Sequence, residues 1–567
     1  MILGIDLGTT NSAAAVWRDN EAVLIPNALG EGLTPSAVSI GDDGAVLVGS
    51  AARDRQATHP DRTATSFKRL MGTREVIRLA GQAFSPEDLS ALVLRALKAD
   101  AEAFFGEEID QAIITVPAYF NDRQRKATRR AGELAGLSVP RLLNEPTAAA
   151  LAFGMKDRAD REPFLIFDLG GGTFDVSIVE MFDAIVEVRA STGDNRLGGD
   201  DFNEVIAALA VPRLLKEGLL ARVPAQRASK LLAAAAEKAR RTLTTQPQAE
   251  FDIAYDGRQA SVVITAAEFE TACQPLIERL RQPVLRALRD SDIRVETLSE
   301  VVLAGGATRM PVVRRAITRM FGRFPAGTVH PDHAIALGAG IQAGLVSRDA
   351  GLDEVRLTDI CPYSLGVDHA VRTARGDLRG GLFSPIINRN TPVPVSRVER
   401  YVTLGDQQRE VAFGIYQGEA REVSGNVKLG EIKVPVPPRP AGEIHVECRF
   451  SYDSSGLLEV DVTVPATGMT RNLLIMDEDA PEPQDLTKRR EALAQLKVHP
   501  RDDAANAATK ARAERCYEEC VGDLRDQIGQ WIITFESVLD SQDPRAIEES
   551  RVALEQALDS VEGQRFL

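Results

Sequence analysis

The stretches IDLGTTNS (5–12) and FDLGGGTFD (167–175) decide the fold, because one arrangement occurs twice in the chain. In each stretch an apolar strand ends at an aspartate, Asp6 or Asp168, and a glycine-bearing turn leads into a second strand. Glycine lets the backbone approach a ligand closely, and successive N–H groups in such a turn form a concave site for anions. An aspartate at the strand end can hold a hydrated Mg²⁺ ion. The repetition predicts two facing lobes that clamp a nucleotide, whereas either stretch alone would favour an ordinary glycine-rich hairpin.

The pattern of apolar residues divides the chain into three parts. Up to about residue 350, strand-like and helix-like segments alternate, as in AIITVPAY (112–119) followed by QRKATRRAGELAG (124–136), and this predicts an α/β domain. Later runs alternate apolar and polar residues, and IHVECRFSY (444–452) with LLEVDVTV (457–464) predicts a hairpin of an antiparallel β domain. From about residue 485 the pattern becomes helical and rich in charge.

The composition is that of an ordinary globular protein. The chain has 567 residues, of which 44% are hydrophobic and 26% charged, and this excludes a disordered or fibrous chain. The net charge of −15 argues against binding to nucleic acid or to an anionic membrane, because both need clustered lysine and arginine. Five cysteines do not suggest a disulfide framework, and the start MILGIDLGTT lacks the features of a signal peptide. No apolar run reaches the roughly 20 residues of a membrane span, so we expect a cytoplasmic protein.

Two further segments are candidates for the same cleft. EVVLAGGATRMP (300–311) predicts a strand, a glycine pair and a helix start, which would let a flat ring approach the backbone and stack on Arg309. AAAAEKARRTLT (233–244) places four polar side chains on one helix face, namely Glu237, Arg240, Arg241 and Thr244. Spacing alone favours a solvated face with an i,i+4 ion pair over a contact with a nucleoside. The chain contains no Gly-Lys dipeptide, which excludes a Walker-type phosphate loop.

Several long strings in the chain resemble those of the DnaK-type, seventy-kilodalton heat-shock chaperone family. Besides the two turn motifs, they are VPAYFNDRQR (116–125), LNEPTAAAL (143–151), LGGDDF (197–202) and GGATRMP (305–311). The resemblance extends from residue 2 to about residue 475. Within the family, LTDICPYSLGV (357–367) and FSPIINRNTPVPVSRVE (383–399) are similar to the HscC-like subgroup.

The resemblance implies an α/β actin-like duplicated ATPase domain, followed by an antiparallel β-sandwich and a short α-helical lid. On this basis the nucleotide-binding domain covers residues 1–350 and the interdomain linker covers 351–361. The peptide-binding β-sandwich then covers 362–476, and the shortened lid covers 485–567.

The resemblance also implies roles for residues of the nucleotide cleft. Asp6 and Asp168 would hold Mg²⁺ through its waters, and the catalytic residues would be Lys68, Glu145, Thr173 and Asp175. The implied ATP-binding residues belong to the two phosphate turns and to an adenosine pocket: Thr9, Thr10, Asn11, Gly170, Gly171, Gly172, Glu237, Arg240, Arg241, Thr244, Gly305, Gly306, Arg309 and Asp332. For the helix at 233–244, this implication replaces the expectation of a solvated face.

In the β part, the resemblance implies a groove for an extended peptide. Five side chains would surround it: Val367, Tyr401, Leu404, Val411 and Phe413. Periodicity alone predicts equally well that these residues are simply the core of a sandwich. Four other residues match those that couple the groove to the nucleotide cleft in the family: Pro117, Arg125, Arg141 and Asp359.

The implied function is that of an ATP-dependent molecular chaperone. It would hydrolyse ATP in the two-lobed cleft and couple the nucleotide state to binding and release of extended apolar segments of unfolded polypeptides. The implied ligands are ATP, ADP, Mg²⁺ and K⁺, and the implied partner is a J-domain co-chaperone. A small-molecule kinase of the actin-like fold and a nucleotide-dependent filament former are alternatives, but neither needs residues 360–567.

The sequence departs from the family pattern in four places, one of which is the region after Lys68, where the chain is shorter than usual. The linker reads VRLT (355–358), where Arg356 and Thr358 replace apolar residues. The helical tail is short, and so is the loop near 254–262 that should meet a nucleotide exchange factor. We therefore expect linker docking to be weaker or to depend on different contacts, and the exchange factor is left open.

Overall fold

The computed structural model describes residues 1–56, 58–154, 161–182, 185–327, 330–348, 352, 356–372, 378–453, 456–475, 497 and 499–563. Contacts between residues divide the chain into two units, Met1–Pro362 and Tyr363–Leu567. Residues 353–355 of the proposed linker and residues 485–496 of the proposed lid lie outside the described residues.

The first unit is an α/β structure. Its strands are β1 (Ile2–Asp6), β2 (Asn11–Arg18), β3 (Glu21–Ile25), β4 (Thr34–Pro35), β5 (Ala37–Ile40), β6 (Val46–Val48), β7 (Thr63–Thr65), β8 (Ile77–Leu79), β9 (Gln82–Phe84), β10 (Gln111–Val116), β11 (Ser138–Asn144), β12 (Arg161–Leu169), β13 (Phe174–Phe182), β14 (Ile185–Asp194), β15 (Gln248–Tyr255), β16 (Arg258–Thr265), β17 (Val301–Ala304) and β18 (Arg356–Ile360). Its helices are α1 (Ser50–Arg53), α2 (Pro86–Phe105), α3 (Asp122–Leu134), α4 (Glu145–Gly154), α5 (Gly199–Lys216), α6 (Ala225–Leu243), α7 (Ala266–Ala272), α8 (Gln274–Ser291), α9 (Pro311–Phe321) and α10 (Ala334–Val346).

Two sheets of one plan organise this unit. The first has the order β11-β10-β1-β2-β3, and the second runs β17-β12-β13-β14-β18. In each sheet an antiparallel meander of three strands is extended by a parallel strand, β10 beside β1 and β17 beside β12. The central strands are nearly continuous apolar runs, because helices cover the sheets. The doubled arrangement confirms the duplication that the two turn motifs predicted.

Small residues bring the two sheets together through helices α4 and α10. A Cβ atom on Gly338 of α10 would lie 1.8 Å from the carbonyl oxygen of Ala148 on α4. A Cβ atom on Gly4 of β1 would lie 2.2 Å from the carbonyl carbon of Ala339. No side chain fits at these two crossings, so the backbones pack directly on each other. This close packing places the ends of β1 and β12, and therefore the two turns, on the same side of the unit.

The second unit begins with an antiparallel β-sandwich. Its strands are β19 (Leu365–Arg372), β20 (Leu378–Ile387), β21 (Pro392–Val393), β22 (Val395–Val402), β23 (Glu410–Gln417), β24 (Val427–Pro435), β25 (His445–Tyr452), β26 (Leu458–Val464) and β27 (Met469–Ile475). One sheet has the order β20-β19-β23-β24 and the other β22-β25-β26-β27. The predicted hairpin is confirmed, because Cys448 lies opposite Val462 and Phe450 opposite Val460, all four fully buried.

Three helices complete the described part of the second unit: α11 (Ala504–Glu519), α12 (Asp523–Ser541) and α13 (Pro544–Gly563). They share a core that includes Cys516, Phe535 and Leu558. Among the described residues, no helix combines the length and the apolar character that crossing a bilayer requires.

Candidate active site

The first turn connects β1 to β2, and its carbonyl groups are occupied by neighbouring residues. The hydroxyl of Ser36 donates to the carbonyl of Gly8 at 2.7 Å, and the N–H of Ser36 donates to the carbonyl of Thr10 at 2.9 Å. Because these carbonyl oxygens accept hydrogen bonds from Ser36, they point away from the anion site and do not repel an anion there. The arrangement suits a site that offers N–H groups to phosphate oxygens.

In the second turn, between β12 and β13, the carbonyl groups also accept hydrogen bonds, in this case from the beginning of a helix. The N–H groups of Gly199 and Asp200, at the beginning of α5, donate to the carbonyls of Gly170 and Gly171 at 2.9 and 2.8 Å. The positive end of α5 therefore lies directly behind this turn. The two turns also approach each other, since a Cβ atom on Gly171 would lie 1.8 Å from the hydroxyl oxygen of Thr10. Only glycine allows this distance.

A buried ion pair lies beside the turns. The ammonium group of Lys68, from the 3₁₀ turn Phe67–Leu70, is 2.6 Å from a carboxylate oxygen of Glu145, the first residue of α4. Both side chains are at most 7% exposed. Lys68 also lies 5.6 Å from the centre of the Phe120 ring. The packing fixes the ammonium group at one position in the cleft, which a flexible surface lysine could not do.

Three aspartates share this cleft with Glu145. Asp168 and Asp175 lie directly opposite each other on β12 and β13, and Asp6 ends β1. Burial, together with the charge of Glu145, raises the pKa of Asp6 to about 7 and that of Asp175 to about 8. Burial also raises the pKa of Asp168 well above its usual value, with Glu145 and Asp175 adding to the effect. Four carboxylates around one lysine create a strong demand for a cation.

These residues fit a hydrated Mg²⁺ ion. The Oδ2 atom of Asp168 and the Oδ1 atom of Asp175 are buried and have no hydrogen-bond partner among the described residues. Within that same part of the chain, no three His, Cys, Asp or Glu side chains converge closely enough to enclose a bare ion. Mg²⁺ usually keeps several waters and is held by few carboxylates plus phosphate oxygens. The donor set is therefore the one expected for Asp6 and Asp168 acting through waters.

The raised pKa values predict how stability depends on pH without Mg²⁺ and nucleotide. Between the usual aspartate pKa of 3.8 and the raised values, the folded protein binds more protons than the unfolded chain. The free energy of unfolding must then fall as the pH rises from about 4 to about 8. One pKa unit corresponds to about 1.4 kcal/mol, so we expect a loss on the order of several kcal/mol. Urea unfolding in a chelating buffer from pH 5 to pH 8 measures it.

Asp175→Asn tests the cause of this pH dependence, because an amide keeps the shape and removes the titration. We expect this variant to be more stable than the unmodified protein at pH 8 and to have a flatter pH profile. Asp252→Asn is the matched control. The hydrogen bond from Ser261 lowers the pKa of Asp252, so that residue is ionised throughout the range. Stability that is constant, or that increases with pH, would contradict the arrangement described for the cleft.

The opposite end of the cleft is built from α6 and from the segment after β17. Arg241 pairs with Glu237 at 2.6 Å, which is the i,i+4 pair that the spacing predicted, and Arg240 donates to the side chain of Asn203 at 2.8 Å. Arg309 lies 3.0 Å from the carboxylate of Asp332 and is 56% exposed. Arg241 and Arg309 both border the same cavity. Two guanidinium planes at one cavity can hold a flat ring between them.

A cavity of about 660 Å³ joins these groups. Its wall includes most of the residues implied for the cleft: Asp6, Thr9, Thr10, Asn11, Lys68, Glu145, Asp168, Gly170, Gly171, Thr173, Arg240, Arg241, Thr244, Gly305, Gly306, Arg309 and Asp332. Gly172 faces Arg69 instead, and Asp175 lies buried behind the wall. Glu237 borders a neighbouring cavity of about 480 Å³.

Several residues of this wall were not predicted from the sequence. They include Glu31, Leu33, Pro35, Arg53, Gly199 and His333. Gly199 belongs to the LGGDDF string, so that motif could have indicated it. The other five do not belong to any of the strings that indicated the cleft.

The residues implied for coupling lie beside the cleft. Arg125 donates to the side-chain oxygen of Asn144 at 2.6 Å, and the amide nitrogen of Asn144 donates to both carboxylate oxygens of Asp359 at 3.1 and 3.0 Å. Pro117 follows β10 and is buried, while Arg141 lies on β11 opposite Ile113 and is half-buried. Asn144, for which the sequence implied no role, joins Arg125 to Asp359.

The residues implied for the peptide groove lie in the sandwich. Val367 and Phe413 are buried, whereas Tyr401, Leu404 and Val411 are half-buried. The rings of Tyr401 and Phe413 are in contact, with centres 5.2 Å apart, and the hydroxyl of Tyr401 bonds to that of Ser384 at 3.0 Å. The five residues therefore combine core positions with positions that a ligand could reach.

Comparison with known proteins covers the whole chain. A family model described as "Hsp70 protein" matches residues 2–77 and 74–566. The chain is 37% identical over 566 residues to a protein named "Chaperone protein DnaK" from Thermotoga neapolitana, and the match covers 96% of this chain and 93% of that protein. This similarity does not support the alternative of a small-molecule kinase, and the HscC-like subgroup stays a prediction. The chain belongs to the Hsp70 family, and it is accordingly an ATP-dependent molecular chaperone with ATPase activity.

Proposed function

We propose that Mg²⁺–ATP binds between the two turns and that Lys68, Glu145, Thr173 and Asp175 carry out its hydrolysis. The observation that supports this most directly is the buried pair of Lys68 and Glu145, next to carboxylates that require a cation. Transfer of a phosphoryl group to water depends on positioning and on stabilisation of charge, with little covalent chemistry for the protein to perform. When bound, Mg²⁺ would neutralise charge on the phosphate oxygens.

Each side chain then has a defined task. The ammonium group of Lys68 faces the region where negative charge develops on the γ-phosphoryl group, and it stabilises that charge without reorganisation. Glu145 accepts a hydrogen bond and orients the attacking water, together with the hydroxyl of Thr173. Asp175 holds its place through the N–H groups of Ala118 and Tyr119. At the other end, Arg241 and Arg309 enclose the adenine ring.

We propose further that Asn144 connects the cleft to the linker. Asn144 is adjacent to Glu145 in the chain, and its side chain bonds to Arg125 and to Asp359. Asp359 belongs to β18, which runs parallel to β14 with Leu357 opposite Val186. A change in the position of Glu145 on nucleotide binding would therefore reach β18 through hydrogen bonds. This contiguous path supports a coupling between nucleotide state and peptide affinity.

The rate of peptide release tests this proposal. We would measure dissociation of a fluorescent Leu-rich peptide from the full chain in excess ATP and in excess ADP. A coupling free energy of about 1–3 kcal/mol corresponds to about a 5- to 150-fold difference between the two rates. We expect faster release in ATP. Equal rates would refute the coupling, and absence of any binding would refute the peptide groove.

Val411→Phe tests the proposed groove. Val411 lies on β23 opposite Val434 and is half-buried, so a larger ring at this position would fill space that a peptide side chain needs. Overfilling a packed apolar site typically costs about 1–3 kcal/mol, and we expect binding of a Leu-rich peptide to weaken by about tenfold. Fluorescence anisotropy measures the affinity.

Ala412→Phe is the matched control for this variant. Ala412 is the next residue of β23, and its side chain is exposed on the opposite face of the strand. We expect this substitution to leave peptide affinity unchanged. Similar affinities for the two variants would mean that Val411 belongs to the core and not to the groove.

The partners and the compartment are also part of the proposal. We propose unfolded polypeptide segments as clients and a J-domain protein as the partner that stimulates hydrolysis, while K⁺ stays a prediction. The hairpin that should meet an exchange factor is short, since Asp256 and Gly257 form a two-residue turn with positive φ angles between β15 and β16. All five cysteines are buried, and so few of them in 567 residues suit the reducing conditions of a cytoplasm.

A further inference from the structure

Strand β22 lies at the edge of its sheet. It pairs with β25 on one side, with Val398 opposite Arg449, and the order β22-β25-β26-β27 puts it at the end of the sheet. In an antiparallel edge strand, alternate residues direct their N–H and C=O groups away from the sheet. Such groups are a template on which another extended chain can pair.

A glutamine side chain occupies this edge at Val398. The N–H of Val398 donates to Oε1 of Gln542 at 3.1 Å, and Nε2 of Gln542 donates to the carbonyl of Val398 at 2.9 Å. A primary amide carries one donor and one acceptor in the same geometry as a peptide group. Gln542 therefore bonds to the edge as one residue of a neighbouring strand would.

The helical part of the second unit fixes Gln542 in this position. Gln542 lies in the short connection between α12 and α13, with φ of 52°. The next residue, Asp543, accepts hydrogen bonds from the N–H groups of Arg545 and Ala546 at 3.0 and 3.2 Å and so caps α13. Burial lowers the pKa of Arg397 on β22, and the negative charge of Asp543 acts against this effect by stabilising the charged guanidinium. The connection is thus held at the strand by two hydrogen bonds and one charge interaction.

The same strand carries a residue of the proposed peptide groove. Tyr401 is three residues beyond Val398, and the exposed residues Arg400 and Val402 lie between the glutamine and the end of β22. An extended chain that pairs along this edge would run from the groove toward Val398. It would meet the amide of Gln542 already in place.

We propose that the outer edge of β22 binds the backbone of an extended polypeptide segment and that Gln542 is an internal competitor for this edge. The inference rests on the proposed function of the second unit as the peptide-binding part. Recognition by backbone hydrogen bonds is tolerant of sequence, which suits a ligand drawn from many unfolded chains. Binding of a long segment displaces Gln542, and the helical part is then released from the sandwich. Retention of Gln542 limits the bound segment to the groove itself.

Gln542→Glu, made in the full chain, tests the proposal with little change of shape. A carboxylate can still accept the hydrogen bond from Val398, but it has no hydrogen to donate and repels the carbonyl oxygen. Gln530→Glu is the matched control, since Gln530 is exposed on α12 and carries the same change of charge. Gln542→Gly, which suits the positive φ angle, removes the side chain altogether.

Hydrogen–deuterium exchange and peptide association provide the readouts. Without peptide, we expect faster exchange at β22 in both Gln542 variants and no change in Gln530→Glu. With a labelled Leu-rich peptide long enough to pass beyond the groove, we expect protection of β22 to return and association to be about 3- to 30-fold faster than in the unmodified chain. A peptide that covers only the groove should show no such acceleration.

Three outcomes are distinguishable. Protection of the groove strands by the long peptide with no added protection at 395–400 would overturn the proposed edge site. Unchanged exchange at β22 in both Gln542 variants would overturn the role of Gln542. Absence of protection anywhere in the sandwich would instead refute the proposed peptide groove, on which the inference depends.

Discussion

Lys68→Ala should bind ATP but hydrolyse it about 100- to 1000-fold more slowly, because loss of one preorganised group that stabilises charge in the transition state typically has an effect of this size. The ammonium group of Lys68 is buried at 2.6 Å from Glu145 and has little freedom to move, so water cannot replace it with the same geometry. Binding should persist because the backbone of the two turns and the arginines at the other end of the cavity remain. Single-turnover hydrolysis measures the chemical step, and nucleotide titration measures the affinity.

The expected loss of hydrolysis in Lys68→Ala must be distinguished from a folding defect, since removing one partner of a buried ion pair can destabilise a protein by about 3–5 kcal/mol. The double variant Lys68→Ala with Glu145→Gln removes the unpaired charge and should recover stability. It should not recover hydrolysis. Lys126→Ala is the control, because in the described part of the chain Lys126 forms an i,i+4 pair with Asp122 on α3, away from the cleft residues. A decrease of less than tenfold in single-turnover rate would contradict the assignment of Lys68.

The arrangement of strands in the first unit could be predicted from the sequence because the same local motif occurs twice. An aspartate at a strand end and a glycine-bearing turn identify a hairpin whose backbone faces an anion, and the second copy predicts the facing lobe. The position of Asp175 could also have been derived. A four-residue turn after Leu169 places Asp175 opposite Asp168, and this register is the one observed.

The helix face at 233–244 shows where such signals become ambiguous. Its spacing predicts an ion pair between Glu237 and Arg241, and the pair is present. Spacing cannot show which structure faces that side of the helix, because this depends on packing against distant parts of the chain. Arg241 borders the cavity of about 660 Å³ while keeping its ion pair, so the predicted pair is confirmed and the contact with a nucleoside stays a prediction.

Contacts between segments that are remote in the chain were not predictable. Asn144 belongs to the LNEPTAAAL string and Asp359 to LTDICPYSLGV, but they are 215 positions apart and no local pattern indicates that their side chains meet. The hydrogen bonds between Gln542 and Val398 were not predictable either, because nothing in the local sequence distinguishes Gln542 from other glutamines. The linker is an intermediate case. Arg356 and Thr358 replace apolar residues, but Leu357 still lies opposite Val186 and Ile360 is buried, so β18 keeps apolar contacts.

Asp359→Ala should abolish the acceleration of peptide release by ATP while preserving ATP hydrolysis. The carboxylate of Asp359 is buried and accepts two hydrogen bonds from the amide of Asn144, at 3.1 and 3.0 Å, besides one from the N–H of Ile360 at 2.8 Å. Without the carboxylate, the amide of Asn144 loses its connection to β18, and the nucleotide cleft no longer influences the linker. We expect a 5- to 150-fold effect of ATP on the release rate, the size of a typical allosteric coupling, to fall to about onefold.

A double-mutant cycle with Asn144→Ala gives this prediction its sharpest form. If Asn144 and Asp359 act as one connection, each single variant should lose the ATP effect, and the double variant should lose no more than either. Asp110→Ala is the control, because the Asp110 side chain is exposed next to β10 and its carbonyl group, which bonds to Ser138, is unchanged. Losses that add in the double variant would mean that the two residues act through separate contacts. In that case the path from Glu145 to the linker could not run through Asn144.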